Sequence, residues 1–292
     1  MYGIKSSSPI IKPSSGSEPF SLKGKKVIIV GGTAGIGAGL ALQARSAGAS
    51  VVIIGRTLRD TSFAGESFVK ADLSLLTDSL AIAKSLPFET ADFVLFTTGI
   101  VPGNVRQVTK EGIEMDMSTS ALNRHVILKE AAPRLRPNTR VFIWGFPGTA
   151  DLLKKTNLAD FNSEIKYDGG FGTAHMNTVA LNEALVHHWA AKGMLVSGFN
   201  PGLMKTGIRE SLLGTGIVSY IIEGIAGWFN PTVETYSKNI LPLFTAPELD
   251  THKGLFFHQS GVPIKPSPEM TDPKVVEAWI AAADALAAKA LS

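Results

Sequence analysis

The chain has 292 residues, of which 45% are hydrophobic, with a formal net charge of +3 at pH 7 and no cysteine. That apolar fraction supports a sizeable core and excludes a disordered chain. The small charge, spread over scattered Lys and Arg residues, argues against nucleic acid, and the missing thiols exclude disulfides, thiolate zinc sites and cysteine catalysis.

Residues 1–20 are rich in Ser, Pro and Gly and lack the continuous apolar stretch of a signal sequence, so they read as a flexible arm before a single domain over 21–292. Residues 27–30 form an apolar run suited to a strand buried on both faces. A glycine loop and a helical stretch to Ala47 follow, closed by Gly48. Residues 51–54 read as the second strand, 66–70 as a short third, and 73–86 as a helix. Residues 93–96 are the fourth strand. Two helical stretches then run to about Arg136, with a break near 117–120. Residues 140–144 form the fifth strand, 173–191 a long helix, 194–199 the sixth strand, 255–258 a seventh and 275–290 a closing helix. Strands alternating with helices predict βαβ units with right-handed crossovers. The expected fold is α/β: a single-domain Rossmann fold with a doubly wound parallel sheet of about seven strands and helices on both faces. The apolar stretch 214–229 carries Glu223 and is too short to span a bilayer, so no transmembrane segment is expected and the location is expected to be cytoplasmic.

The strongest local signal is Gly31-Gly32-Thr33-Ala34-Gly35-Ile36-Gly37, placed after a buried strand and at the start of a helix. Glycines there permit a tight turn and close backbone approach to a pyrophosphate. The helix N-terminus offers free N–H groups and partial positive charge. About 20 residues on, where an NAD site places an acid on the ribose, stands Gly55-Arg56-Thr57. Arg56 suits a 2′-phosphate, which favours NADP(H) over NAD(H).

The spacing Gly31-xxx-Gly35-x-Gly37 resembles the short-chain dehydrogenase/reductase family, and the resemblance runs from about Ser21 to the C-terminus. Asp72-Leu73 resembles the segment that brackets adenine. Thr97-Thr98-Gly99 stands where the family has Asn-Ala-Gly. The segment Pro201-Gly202-Leu203-Met204-Lys205-Thr206 resembles the one over the nicotinamide, with Pro201, Gly202, Leu203 and Thr206 as its contacts. The resemblance implies a hydride-transferring enzyme, a homodimer or homotetramer, and a variable substrate lid, which falls here at about 207–230.

The family's acid/base group is a Tyr with a Lys four residues on, which lowers the phenol's pKa. This chain contains no such pair. The family spacing back from Pro201 reaches Phe171, with His175 four residues later. The family's Ser position falls on Phe146 or Gly145, and its Asn position on Ser120. Phe146 and Phe171 therefore read as substrate-pocket residues. Tyr167, Phe171 and His175 would share one helical face, so Tyr167 is a candidate from one turn earlier. As imidazolium His175 would grip ribose hydroxyls, and as a neutral ring it would shuttle a proton; a core histidine is the plain alternative. His125, His187 and His188 read as surface or subunit-contact residues, and no spacing suggests a metal site. The apolar lid fits a hydrophobic small-molecule substrate, and equally core packing or a dimer contact. Three functions follow: an NADP(H)-dependent oxidoreductase on a carbonyl, alcohol or alkene; a non-redox isomerase or cyclase; or a non-enzymatic NADP(H)-binding sensor or scaffold. The segments Gly145-Phe146-Pro147-Gly148 and 175–179 resemble those of a divergent branch of the family, which implies a place in natural-product metabolism.

Overall fold

The apolar runs of the sequence become strands because each is buried from both sides. The computed structural model describes residues 20–202 and 231–292. Most of the N-terminal arm, the lid at 207–230, Leu203 and Thr206 lie outside the described residues. The strands are β1 (Lys26–Val30), β2 (Ser50–Gly55), β3 (Phe68–Lys70), β4 (Phe93–Phe96), β5 (Arg140–Trp144), β6 (Leu195–Asn200), β7 (Leu255–His258) and β8 (Pro263–Ile264). They form one sheet in the order β3-β2-β1-β4-β5-β6-β7-β8. Every pairing from β3 to β7 is parallel, and β8 adds to β7 antiparallel.

Among the described residues the sheet thus has the seven expected parallel strands and one more. The extra one is two residues long and begins with proline, which lacks a donor and belongs on an edge. Such a strand leaves no periodic signal in the sequence.

Along β1 the side chains alternate between two cores. Ile28 and Val30 join one layer, Val27 and Ile29 the other. The first layer includes α2 (Leu76–Ser85), α4 (Asn123–Ala131), α5 (Thr173–Ala191) and α7 (Pro273–Leu291). The second contains α1 (Gly35–Ser46) and α6 (Val233–Ile240). A short α3 (Met115–Met117) runs through a π-helical turn, Ser118–Leu122, into α4. The expected break near 117–120 is therefore a widened turn in one continuous helical run. The helix expected ahead of it does not form: Pro102 and Gly103 interrupt the stretch, and the chain remains irregular up to an isolated bridge between Val108 and Glu114.

Helix α7 lies across α4 and α5. Its Trp279 packs edge-on against Phe161, with ring centroids 5.7 Å apart. His125 meets Asp284 at 2.8 Å and His188 meets Glu277 at 2.7 Å. Two of the three histidines expected at a surface or subunit contact are thus paired with acids of α7 within the chain, and the third, His187, packs against Phe256 at 5.1 Å between centroids. Among the described residues no helix is long and apolar enough to cross a membrane.

Candidate cofactor-binding and active site

The glycine loop follows β1 directly, and its shape depends on missing side chains. Gly31 sits at φ 94°, in the left-handed region, and a Cβ on it would stand 2.7 Å from the Thr98 nitrogen. A Cβ on Gly37 would lie 2.3 Å from the Gly31 carbonyl oxygen, so helix and loop touch backbone to backbone. Helix α1 starts at Gly35 with Ala34 as its cap. No side chain bonds the cap, and the first turn holds no acid. The N–H groups at this end, from Gly35 through Ile36 and Gly37, are left for an anion. Thr97 closes the back of the loop, its hydroxyl donating to the carbonyls of Val30 and Gly31 at 3.1 and 3.2 Å.

A cavity of about 400 Å³ opens beyond the ends of β2 and β3, lined by Arg56, Lys70, Ala71, Asp72 and Asp78. Its two acids are already engaged. Asp72 accepts from the Ser74 amide and hydroxyl at 3.1 and 2.7 Å, and Asp78 accepts from the Asp72 amide at 2.7 Å. Arg56 and Lys70 are both exposed. The buried Leu73 offers its carbonyl to Asn123, which also donates to the Thr98 hydroxyl. Leu73, Thr98 and the glycine loop are so joined on one side of the sheet's carboxyl end, with Gly99 next in the chain and 3.8 Å from Ser120 Oγ by its Cβ position.

His175 lies on the first turn of α5 and is buried. Its Nδ1 meets Asp116 Oδ2 at 2.7 Å. The other carboxylate oxygen of Asp116 accepts a short hydrogen bond from the Ser120 hydroxyl, which itself accepts from the Ile100 amide at 3.0 Å. His175 Nε2 is buried and has no hydrogen-bond partner among the described residues. Two phenyl rings flank the imidazole edge-on, Phe171 at 5.4 Å and Phe146 at 6.1 Å between centroids. The structure therefore brings Ser120, Phe146, Phe171 and His175 together. It adds Asp116, which sequence reasoning missed. The only available signal was an acid four residues before Ser120, and acids on helices are commonplace.

Phe146 adopts φ 52°, a left-handed conformation rare for a bulky side chain. Such backbone outliers concentrate where the surrounding structure holds a residue for a purpose. Here the conformation carries the ring to the imidazole.

Tyr167 does not share a helical face with His175, because α5 begins only at Thr173. It stands in the preceding loop and donates to the Gly103 carbonyl at 2.9 Å. Burial, helped by the charges of Glu114 and Asp116, pushes its phenol up to about 12, opposite to what an acid/base tyrosine needs.

Behind this cluster Arg124 locks the strand ends. Its guanidinium donates to the carbonyls of Thr98 and Trp144 and to Asn182 Oδ1. Burial brings it down to about 9, while Asp116 acts the other way. Asn182 in turn donates to the Ser120 carbonyl at 2.9 Å, satisfying an acceptor in the π-helical turn. At the end of β6, Asn200 donates to the Pro147 carbonyl and accepts from the Gly202 amide, both at 3.1 Å. Pro201 and Gly202 are thereby tied to the Phe146 loop.

A doubly wound sheet with a glycine loop after its first strand and side chains converging beyond its carboxyl edge defines a Rossmann-type α/β protein. No protein-family model matches the chain. It is 38% identical over 278 residues to the uncharacterized oxidoreductase YKL107W of Saccharomyces cerevisiae, covering 91% of this chain and 88% of the yeast protein. Among solved structures it resembles a short-chain dehydrogenase/reductase from Serratia marcescens (TM-score 0.59, 17% identity, 82% of this chain and 98% of that one). It also resembles the aldohexose dehydrogenase of Thermoplasma acidophilum (TM-score 0.58, 15% identity, 84% and 96%). The chain belongs to the short-chain dehydrogenase/reductase family.

Proposed function

We propose that this protein is a cytoplasmic NADP(H)-dependent oxidoreductase acting on a hydrophobic small-molecule carbonyl, alcohol or alkene, with His175 as its acid/base group. The carrying observation is the buried, unpartnered Nε2 of His175 between two phenyl rings. A buried polar atom without a partner costs about 1–3 kcal/mol, which a ligand's hydroxyl would recover.

The residues present fit the cofactor. The open N-terminus of α1 and the glycine cradle suit a pyrophosphate, and Arg56 with Lys70 suits a 2′-phosphate, since the acids beside them are engaged by backbone donors. When bound, the nicotinamide supplies or accepts the hydride. The protein's own part is to orient the reacting oxygen or carbon, exclude water with Phe146 and Phe171, and move a proton at His175 Nε2. The similarity to a yeast protein named as an oxidoreductase supports redox chemistry.

The first test is a thermal shift with NADPH against NADH. Stabilisation by NADPH in preference to NADH is expected, and no stabilisation by either at saturation would sink the reading. The second follows the absorbance of NADPH with lipophilic ketones, aldehydes and enones, where His175→Ala is expected to lose activity while still binding NADPH.

One observation favours a non-redox isomerase or cyclase instead. Phenyl rings flank His175 where the family has hydroxyls, so no Ser or Tyr hydroxyl polarises a carbonyl at those two positions. Conversion of a substrate with no change in the nicotinamide absorbance would select that reading.

A further inference from the structure

We propose that Asp116 is the positioning residue of this site. It holds His175 as the Nδ1–H tautomer, so that Nε2 is the only ring atom that exchanges a proton. The inference rests on the reading of His175 as the acid/base group and adds the device that makes that reading workable.

The hydrogen bonds have a fixed direction. The Ile100 amide can only donate, so the Ser120 oxygen accepts from it. The single hydroxyl proton of Ser120 is then directed to Asp116 Oδ1. The other oxygen of Asp116 faces His175 Nδ1 at 2.7 Å. A carboxylate only accepts, so Nδ1 carries the proton and Nε2 keeps its lone pair. Asp116 is fully buried, and these contacts, made in a water-poor setting, hold both partners firmly.

The arrangement also accounts for the π-helical turn. Asp116 lies in α3 just before the widened turn, and Ser120 lies within it. Asn182, about two turns along the same face of α5 from His175, donates to the Ser120 carbonyl. Both ends of the chain of contacts are therefore anchored on α5, and the ring cannot turn over without breaking the bond to Asp116. An unconstrained imidazole favours the Nε2–H tautomer, in which Nε2 could not act as a base.

In the oxidative direction the substrate O–H bond breaks, its electron pair stays on oxygen, and the proton forms a new bond to Nε2. The resulting imidazolium retains its Nδ1–H bond to Asp116, whose charge compensates the new one. In the reductive direction the same proton returns from Nε2.

The experiment is long-range ¹H–¹⁵N correlation NMR of the full chain labelled with ¹⁵N-histidine, at about pH 9, above the ordinary histidine range. His175→Gln assigns the signal among six histidines. The wild type is expected to show a protonated Nδ1 and a bare Nε2. In Asp116→Asn the amide oxygen accepts from Ser120 and its NH2 donates to Nδ1, so the pattern is expected to invert to Nε2–H. A wild-type spectrum with a protonated Nε2 overturns the proposal, and this measurement stands even if the variant does not fold. A folded Asp116→Asn that keeps Nδ1–H overturns it as well. Saturating NADP+ is expected to shift the wild-type Nε2 resonance and leave Nδ1 protonated. An Nε2 resonance indifferent to NADP+ would remove His175 from the chemistry, and Asp116's role with it, while the tautomer result would remain; the two failures are thus separable.

Discussion

His175 and Asp116 lie 59 residues apart in the chain, and their side chains meet at 2.7 Å in the interior. One belongs to the first turn of α5 and the other to the short helix that opens the α3–α4 run. Packing of these two segments creates a buried acid–imidazole pair beside two phenyl rings. On the function proposed above, the pair would move a proton at His175 Nε2 on this scaffold.

On the proposed reading, the cations of the cavity beyond β2 and β3 set the preference for NADP(H). Arg56→Ala is expected to weaken NADPH binding about tenfold or more while changing NADH binding little, since a charge-assisted hydrogen bond contributes about 1.5–3 kcal/mol. Lys70→Ala is expected to act in the same direction. Both groups are exposed, so the difference should shrink at high salt. Calorimetric titration of each variant with both nucleotides checks this, and equal losses for NADPH and NADH would refute the 2′-phosphate assignment.

The contact between Gly37 and the loop leaves no space for a methyl group. Gly37→Ala would place a Cβ 2.3 Å from a backbone oxygen that cannot move without disturbing β1. A loss of about 1–3 kcal/mol in stability is expected. Cofactor-induced stabilisation should fall as well, because the loop must shift to admit the methyl. Urea denaturation with and without NADPH measures both effects.

At Phe146 the backbone and the side chain can be separated. Phe146→Ala and Phe146→Gly both remove the ring, but only glycine relaxes the φ of 52°. The glycine variant is expected to be more stable than the alanine variant by about 1 kcal/mol. Equal stabilities by chemical denaturation would show that the conformation costs nothing. Both variants should widen substrate acceptance, since the ring that covers one side of His175 is gone in each.

Glu114 gives a pH dependence of definite sign. Burial raises its carboxyl from 4.5 to about 7, despite its hydrogen bond from the Met117 amide. A carboxyl raised in the folded state binds its proton more tightly there than in the unfolded chain. Its contribution is complete below pH 4.5 and is lost as pH rises through 7. Glu114→Gln carries no titratable group and keeps an acceptor for Met117. Relative to the wild type, its stability is expected to rise by an amount on the order of 3 kcal/mol between about pH 5 and about pH 8. Parallel pH profiles for the two proteins would contradict the shift.

Much of the fold is set by the sequence alone. Runs such as Val51 to Ile54 and Phe93 to Phe96 admit few outcomes other than strands buried on both faces, and 173–191 forms a helix with the expected bounds. The glycine spacing at Gly31, Gly35 and Gly37 carries its own meaning, because a close backbone approach can be made only by residues without side chains. Likewise, the absence of a Tyr with a Lys four residues on is visible in the sequence. Tertiary structure alone decided how Phe146, Phe171 and His175 are brought together. No local pattern marks Asp116 as His175's partner, since the pairing spans two helices and the term that stabilises it is burial, which belongs to the whole fold. The same holds for Arg124, whose acceptors are the carbonyls of Thr98 and Trp144 and the side-chain oxygen of Asn182, far apart in the chain, and for Tyr167, which stands in the loop before α5 and donates to the Gly103 carbonyl. Sequence sets what each residue is able to donate, accept or fill; only packing determines which of these capacities are left unsatisfied, and among the described residues the Nε2 of His175 is one of them.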